Sequence, residues 1–307
     1  MKTPLVIAFT PNYIVPAAVT LRSILDATMD EGAGYEVICL VTEEIPQRQK
    51  DELATMAGER MSFSYIPLAG RLEGCYVDSR YSEAASYRLM LPELLPEADR
   101  IIYVDCDVVV RQDLAELYNT IDLGDNLLAA VYEAPIEKQS ERWTALGCDP
   151  QRYFNSGFLV MNLAQMRSEG TSAKLIDALK VDYLEFPDQD ALNQVCKGRV
   201  LPLSPVYNSI RTFFIPKYRP EFEAQYGPEL WDEVQEHGNI HYTGGKPWRI
   251  FSVRFGDWWR VYRSLPEAIK KEWIPSPKIK ALADIYGTSA GRTIIDGLRT
   301  AARKFRR

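Results

Sequence analysis

RIIYVDCDVVVRQ, residues Arg100 to Gln112, sets two carboxylates, Asp105 and Asp107, one residue apart inside an apolar run. A run of Ile, Tyr and Val this short predicts a strand buried on both faces, the kind found in parallel sheets. Residues two apart on a strand point to the same side, so the two acids are expected to aim together from its end. Two ionised carboxylates held that way repel each other, and burying them unpaired is costly. One takes up a proton, or a cation sits between them, or both stay solvated at the strand end. A divalent metal with oxygen ligands is the simplest cation for the second arrangement.

Working outward from that strand, Leu5 to Phe9, Tyr35 to Val41 and Met61 to Ile66 read as strands. They alternate with a helix after Thr10-Pro-Asn-Tyr13, carrying Pro16 near its first turn, and a polar helix from Pro46 to Ala57 stopped by Gly58. Strand, helix, strand, helix, strand is the signature of a parallel sheet wound with crossover helices. Further along, Arg71 to Tyr81 has loop composition, and Ser82 to Leu91 reads as a helix ended near Pro92. Leu127 to Tyr132 is a strand and Glu137 to Leu146 a helix. In YFNSGFLVMNL, Tyr153 to Leu163, a turn at Asn155-Ser156-Gly157 leads into a strand. Helices are expected at Ser172 to Leu184 and Asp188 to Cys196, an irregular subdomain at Arg211 to His237, and a short strand at Gly238 to Ile240. The division expected is 1–250 as the catalytic domain and 251–307 as a helical extension.

The 307 residues carry a formal net charge of -6, which argues against general nucleic-acid binding. Five cysteines, Cys39, Cys75, Cys106, Cys148 and Cys196, form no Cys-x-x-Cys pair, so neither a disulfide framework nor a zinc site is indicated. MKTPLVIAF enters a strand without a signal-peptide core, and no apolar run approaches the roughly 20 residues of a spanning helix. The expectation is a soluble protein of the reducing cytosol.

HYTGGKPW, His241 to Trp248, joins a neutral metal-ligating imidazole to two glycines and a lysine. Gly244 and Gly245 allow close backbone approach, and Lys246 places a point charge suited to phosphate. Two Asp and one His leave open positions on a metal that a diphosphate fills. A simple turn accounts for His241 but not for the neighbouring glycines and Lys246. Elsewhere the residues alone favour structural roles. In FPDQD, Asp188 reads as an N-cap and Asp190 as an acid favouring the helix dipole. Arg88 reads as a surface snorkel, and Trp258 and Trp259 as packing rather than a sugar platform.

Taken together, IAFTPNY, SYRLMLPELLP, RIIYVDCDVVV, YFNSGFLVMNL, PDQDALN and HYTGGKPW resemble glycosyltransferase family 8, in the order expected of it, over about four-fifths of the chain, Leu5 to Trp248. That family includes bacterial lipopolysaccharide galactosyl- and glucosyltransferases and glycogenin. The resemblance implies an α/β GT-A fold, a Rossmann-like mixed sheet flanked by helices, here with a C-terminal helical extension. It implies Mn2+, or Mg2+ in its place, and a UDP-sugar donor. Carried over, Asp105, Asp107 and His241 ligate the metal. Ala8, Thr10, Asn12 and Tyr13 border the uridine, and Gly244 and Lys246 contact the diphosphate. Arg88, Asp188, Asn155 and Ser156 hold the donor sugar, and Gln189 lies closest to the anomeric carbon. Two departures stand out. Thr10 occupies a position that is often acidic in close relatives, and only Gly245 separates Gly244 from Lys246 where the family has two residues.

The implied reaction is transfer of galactose or glucose, with retention, to a glycan or lipid-linked glycan acceptor in cell-surface polysaccharide synthesis. Because an amide is a poor nucleophile, front-face attack is expected, with Asp190 as the fallback nucleophile by analogy with retaining glycosidases. Two alternatives are a haloacid-dehalogenase-type phosphatase using the Asp pair and a non-catalytic sugar-nucleotide-binding protein. In the tail, Ile294, Ile295, Leu298, Ala301, Ala302 and Phe305 form an apolar stripe beside Arg292, Arg299, Arg303, Lys304, Arg306 and Arg307. A basic amphipathic helix of this kind suits an anionic membrane surface, here the inner face of the plasma membrane. The alternative is a helix docked on its own domain.

Overall fold

A computed structural model describes residues 2–76, 82–272 and 275–305, with side chains up to residue 298. Its centre is a seven-stranded sheet of order β3-β2-β1-β4-β7-β6-β8. The strands are β1 (Thr3–Phe9), β2 (Tyr35–Val41), β3 (Met61–Pro67), β4 (Arg100–Val104), β6 (Leu128–Tyr132), β7 (Phe154–Asn162) and β8 (Val200–Pro202). β1 pairs in parallel with β2 on one side and β4 on the other, and β2 with β3. β7 runs antiparallel to both β4 and β6, which makes the sheet mixed.

Both faces are covered, as the apolar runs require. Leu5, Ile7, Phe9, Ile102 and Val104 face one apolar cluster, and Val6, Ala8, Ile101 and Tyr103 face the other. The first cluster also holds Phe255, Trp258 and Trp259 from the helix Phe255–Ser264. Trp258 and Trp259 are therefore core residues, as the packing reading expects.

Several elements differ from expectation. β4 stops at Val104, and Asp105 to Asp107 form a turn before the two-residue strand β5 (Val108–Val109). The acids converge through that turn, not through strand alternation. Asn155, Ser156 and Gly157 lie inside β7 rather than in a turn before it. Pro92 does not end a helix. A 3-10 stretch, Glu83–Met90, is followed by the α-turn Leu91–Leu94, and Pro92 sits in its first turn, where a missing N–H costs nothing. Arg211 to His237 is ordered as helices Arg219–Tyr226 and Glu229–His237 behind short 3-10 turns. Phe213, Phe222, Tyr226 and Trp231 pack edge-to-face there, with centroids 4.9 to 5.9 Å apart where Phe213 and Phe222 meet their neighbours. Helices this short present only one or two apolar turns each, too few to show a period. The helix expected at Ser172 to Leu184 runs only from Thr171 to Ala178. The strand expected at Gly238 to Ile240 is β9, Ile240–His241.

The order 3-2-1-4 creates a switch point between β1 and β4, where the chain leaves neighbouring parallel strands in opposite directions. Open α/β sheets bind ligands in the crevice at the carboxyl ends of such strands. The segments leaving that edge are Thr10–Tyr13 after β1 and Asp105–Asp107 after β4.

Candidate active site

Two further elements complete the edge. Antiparallel pairing sets Val104 opposite Phe158, so the start of β7, Asn155 to Gly157, comes beside Asp105. The Asp105 N–H donates to Gly157 C=O at 2.8 Å. The small antiparallel pair β5–β9 sets Val108 opposite His241. That pairing brings a histidine from late in the chain to the residue next to Asp107.

Asp105, Asp107 and His241 each offer one ligand atom, all within 4.8 Å of one another. His241 Nε2 lies 3.4 Å from Asp107 Oδ1 and 3.8 Å from Asp105 Oδ2. The remaining oxygen of each acid holds a cationic side chain. Arg88 Nη2 donates to Asp105 Oδ1 at 2.7 Å, and Lys246 pairs with Asp107 Oδ2. Tyr103 OH adds a bond to Asp105 Oδ1 at 2.9 Å. The repulsion expected between the two carboxylates is thus relieved by protein cations on their outer oxygens. Burial pushes the Asp107 carboxyl up, but the Lys246 ammonium overcomes it and holds Asp107 well below the usual carboxylate range. Two carboxylate oxygens and an imidazole nitrogen are a donor set that fits a hard divalent cation such as Mn2+. The residues present therefore fit the implied metal.

Arg88 is 2% exposed, so the snorkel reading is corrected. Its Nε donates to Ala85 C=O at 2.6 Å and lies 3.3 Å from Asp188 Oδ2, while its Nη1 donates to Ser156 C=O. Burial opposes its charge, and Asp105 with Asp188 more than restores it. Asp188 is in the first turn of the helix Pro187–Val195 but does not cap it; Phe186 occupies the N-cap position. The Asp188 carboxylate instead accepts Ser156 Oγ–H at 2.9 Å. Burial raises its affinity for a proton, partly offset by Arg88.

Gln189 points from the same helix turn toward β7. Its Oε1 accepts Asn155 Nδ2 at 3.0 Å and Ser156 N–H at 3.1 Å. Its Nε2 donates to Glu133 Oε1 and Tyr153 OH, both at 3.2 Å. Asp190 is fully buried and accepts Arg142 Nη1 at 2.9 Å, Glu185 N–H at 3.0 Å and Phe186 N–H at 3.1 Å. It ties the helix to the segment that leads into it rather than capping the first turn.

On the other side of the crevice, Ala8 is buried at the end of β1, Thr10 bonds Asn12, and Asn12 is exposed. The Tyr13 ring meets Trp248 edge-on at 5.9 Å, joining this segment to HYTGGKPW. Gly244 has φ +80°, a conformation that side chains rarely adopt, and it turns the chain so that Lys246 Nζ can also reach Tyr242 C=O at 2.9 Å. Trp259 Nε1 donates to Pro247 C=O at 3.1 Å and fixes the end of the segment to the core.

Sequence reasoning missed Tyr103, Glu133, Arg142, Tyr153 and Asn208. Two carried a signal. Tyr103 is two residues from Asp105, and Glu133 is an acid at the end of an apolar strand, as Asp105 is. Asn208 carried none. It meets His241 Nδ1 at 2.9 Å and Asn155 Oδ1 at 2.9 Å through tertiary structure alone.

Comparison with known proteins follows the same segments. The family model for glycosyl transferase family 8 matches residues 4–251. The chain is 31% identical over 179 residues to general stress protein A of Bacillus subtilis (strain 168), covering 55% of this chain and 60% of that protein. It is 30% identical over 180 residues to lipopolysaccharide 1,2-glucosyltransferase of Escherichia coli (strain K12), covering 56% of this chain and 51% of that one. The matched stretch thus spans between half and three-fifths of the length of these relatives. Among solved structures, the galactosyltransferase LgtC in complex with donor and acceptor sugar analogs aligns with a TM-score of 0.70 at 26% identity, covering 88% of this chain and 100% of that chain. The mixed sheet flanked by helices is the GT-A architecture that the resemblance implies.

Proposed function

This chain belongs to glycosyl transferase family 8, and from that premise we propose that it is a retaining hexosyltransferase moving galactose or glucose from a UDP-sugar to a glycan acceptor. The observation that carries the reading is the convergence of Asp105, Asp107, His241, Arg88, Asp188, Gln189 and Lys246 at the switch-point edge. Bound between the two acids and His241, a divalent metal would neutralise the charge building on the departing diphosphate.

Lys246 is already placed to help. Its ammonium is already in the site, and burial's tendency to lower its proton affinity is overcome by Asp107, so it stays charged. When a diphosphate enters, Lys246 exchanges one anionic partner for another and stabilises the leaving group. Arg88 and Asp188 form a buried ion pair next to Ser156, placing a donor and an acceptor for sugar hydroxyls. Thr10, Asn12 and Tyr13 border the base.

In the reaction, the bond from the anomeric carbon to the UDP oxygen breaks and the acceptor oxygen bonds to that carbon on the same face. The acceptor's proton passes to a phosphate oxygen of UDP. Both ends of the Gln189 amide are held, so acting as a nucleophile would require it to abandon two donors. Gln189 therefore polarises the centre rather than attacking it. The Asp190 carboxylate, which already accepts from a guanidinium and two backbone N–H groups, positions the helix that carries Gln189. Family membership leaves the phosphatase alternative without support.

The test is calorimetric titration of UDP-galactose and UDP-glucose with and without Mn2+, followed by donor hydrolysis. Metal-dependent binding of one sugar with slow hydrolysis is expected. Binding without turnover would support the non-catalytic alternative, and no binding of either sugar would overturn the donor assignment.

A lipopolysaccharide-type or lipid-linked acceptor and attachment to the inner face of the plasma membrane belong to the same proposal. No helix among the described residues is long and apolar enough to cross a membrane. The tail helix Ser289–Phe305 leaves Ile294 61% and Leu298 65% exposed, which supports a surface role over docking at those positions. The side chains of Arg299, Ala301, Ala302, Arg303, Lys304, Phe305, Arg306 and Arg307 lie outside the described residues. Deleting residues 291–307 is expected to abolish cosedimentation with anionic liposomes while sparing donor binding. Unchanged cosedimentation would refute membrane attachment through the tail.

A further inference from the structure

Behind the Asp–Asp–His cluster, buried amides form a hydrogen-bonded chain whose direction is fixed from one end. The backbone N–H of Gly157 can only donate, and it donates to Asn155 Oδ1 at 3.0 Å. The other end of that amide, Nδ2, is therefore the one reaching Gln189 Oε1. The Gln189 oxygen is fixed independently by the Ser156 N–H. Asn208 meets the same Asn155 Oδ1 at 2.9 Å, and only its Nδ2 can make a bond there. Its own Oδ1 is then the atom turned to His241 Nδ1, also at 2.9 Å.

An amide oxygen only accepts. In the neutral imidazole the proton must sit on Nδ1, which leaves the lone pair on Nε2. Nε2 is the nitrogen that faces Asp107 Oδ1 and Asp105 Oδ2. Asn208 is fully buried and His241 4% exposed, so water does not compete for these bonds.

We propose that Asn208 is the positioning residue that selects the Nδ1–H tautomer of His241 and so presents Nε2 to a divalent cation held by the Asp pair. The backbone of β7 sets this choice through Asn155, the same side chain that orients Gln189. One strand thereby orients both the metal-facing nitrogen and the amide at the reacting centre. The consequence for metal binding rests on the function proposed above; the tautomer does not.

The chain has only two histidines, and His237 is exposed, so the tautomer can be read by nitrogen-15 NMR on the full, metal-free protein. His237→Gln identifies the His241 signals, and spectra recorded across a pH series read the tautomer where the ring is neutral. Wild type is expected to carry the proton on Nδ1. Asn208→Ala is expected to yield a mixture of tautomers and a fall in Mn2+ affinity of roughly 10- to 100-fold, the usual cost of losing a partner of a metal-ligating histidine. Asn208→Asp keeps an acceptor for Nδ1 but sets an oxygen against Asn155 Oδ1 in place of the amide N–H, so it is expected to keep the proton on Nδ1 while losing the bond to Asn155. A wild-type proton on Nε2 would overturn the proposal, as would an Asn208→Ala protein with unchanged tautomer and Mn2+ affinity. Should Asn208→Ala fail to fold, wild type and Asn208→Asp still decide. The expected tautomer without any Mn2+ binding would uphold the assignment to Asn208 and overturn the metal reading instead.

Discussion

Replacing Asp107 with Asn is expected to abolish Mn2+-dependent binding of the UDP-sugar and to lower transfer by about 10²-fold or more, the scale on which single preorganised electrostatic groups act. The substitution keeps the volume and one oxygen but removes the charge that pairs with Lys246 and would hold the metal. Asp107 Oδ1 faces His241 Nε2 at 3.4 Å, and Oδ2 holds Lys246. The Asn variant therefore loses a metal ligand's charge and leaves the Lys246 ammonium with only the Tyr242 carbonyl. Breaking one partner of a fully buried pair costs about 3–5 kcal/mol, and because Lys246 retains some contact with water a loss of about 1–3 kcal/mol is expected. Calorimetry reads the binding and a thermal melt reads the stability. An unchanged metal-dependent heat in a folded Asp107→Asn protein would remove Asp107 from the donor site.

Gly157→Ala is expected to be comparably damaging although glycine contributes no functional group. A Cβ at this position would lie 2.8 Å from Asp105 Oδ2 and from His241 Nδ1, and nearer still to His241 Cε1. Neither neighbour yields readily. His241 is held by Asn208 and by the β5–β9 pairing, and Asp105 by Arg88, Tyr103 and its own N–H on Gly157. The methyl must displace the imidazole or bend β7, and overpacking of this kind costs about 1–3 kcal/mol. Displacing a metal-facing ring is expected to weaken Mn2+ binding by at least the roughly 10- to 100-fold seen when an orienting partner is lost. Gly297→Ala is the control, because its added methyl meets nothing within 4 Å. Wild-type Mn2+ affinity in Gly157→Ala would mean that β7 does not abut the metal-facing ring.

These two positions also mark how far the sequence could be read. Asp107 was legible because two acids in an apolar run violate the expected burial pattern, and such violations mark sites. His241, Gly244 and Lys246 stood out as a compact segment because a simple turn gives no reason for two glycines and a lysine beside the histidine. Gly157 was not, since a glycine at the start of a strand looks like a turn residue until the atoms facing it are known. Arg88 and Asp188 had bland local readings as a snorkel and a cap, and only the ordered resemblance lifted them. Their true partners, Asp105 and Ser156, lie far away along the chain.

The sequence by itself determined the alternating strands and helices, the two-faced burial of β1, β2 and β4, and the approximate edge at which chemistry would sit. Those features follow from local periodicity and composition, which each segment carries within itself. The tertiary structure decided the rest: that β7 runs antiparallel against β4, that β5 and β9 pair, and that the helices of Arg211 to His237 pack around aromatic rings. It also decided which oxygen of each aspartate meets a protein cation and which nitrogen of His241 faces the acids. The physical reason is that hydrogen bonds and ion pairs between distant segments depend on strand register, and register is settled only when the whole sheet buries its two faces at once.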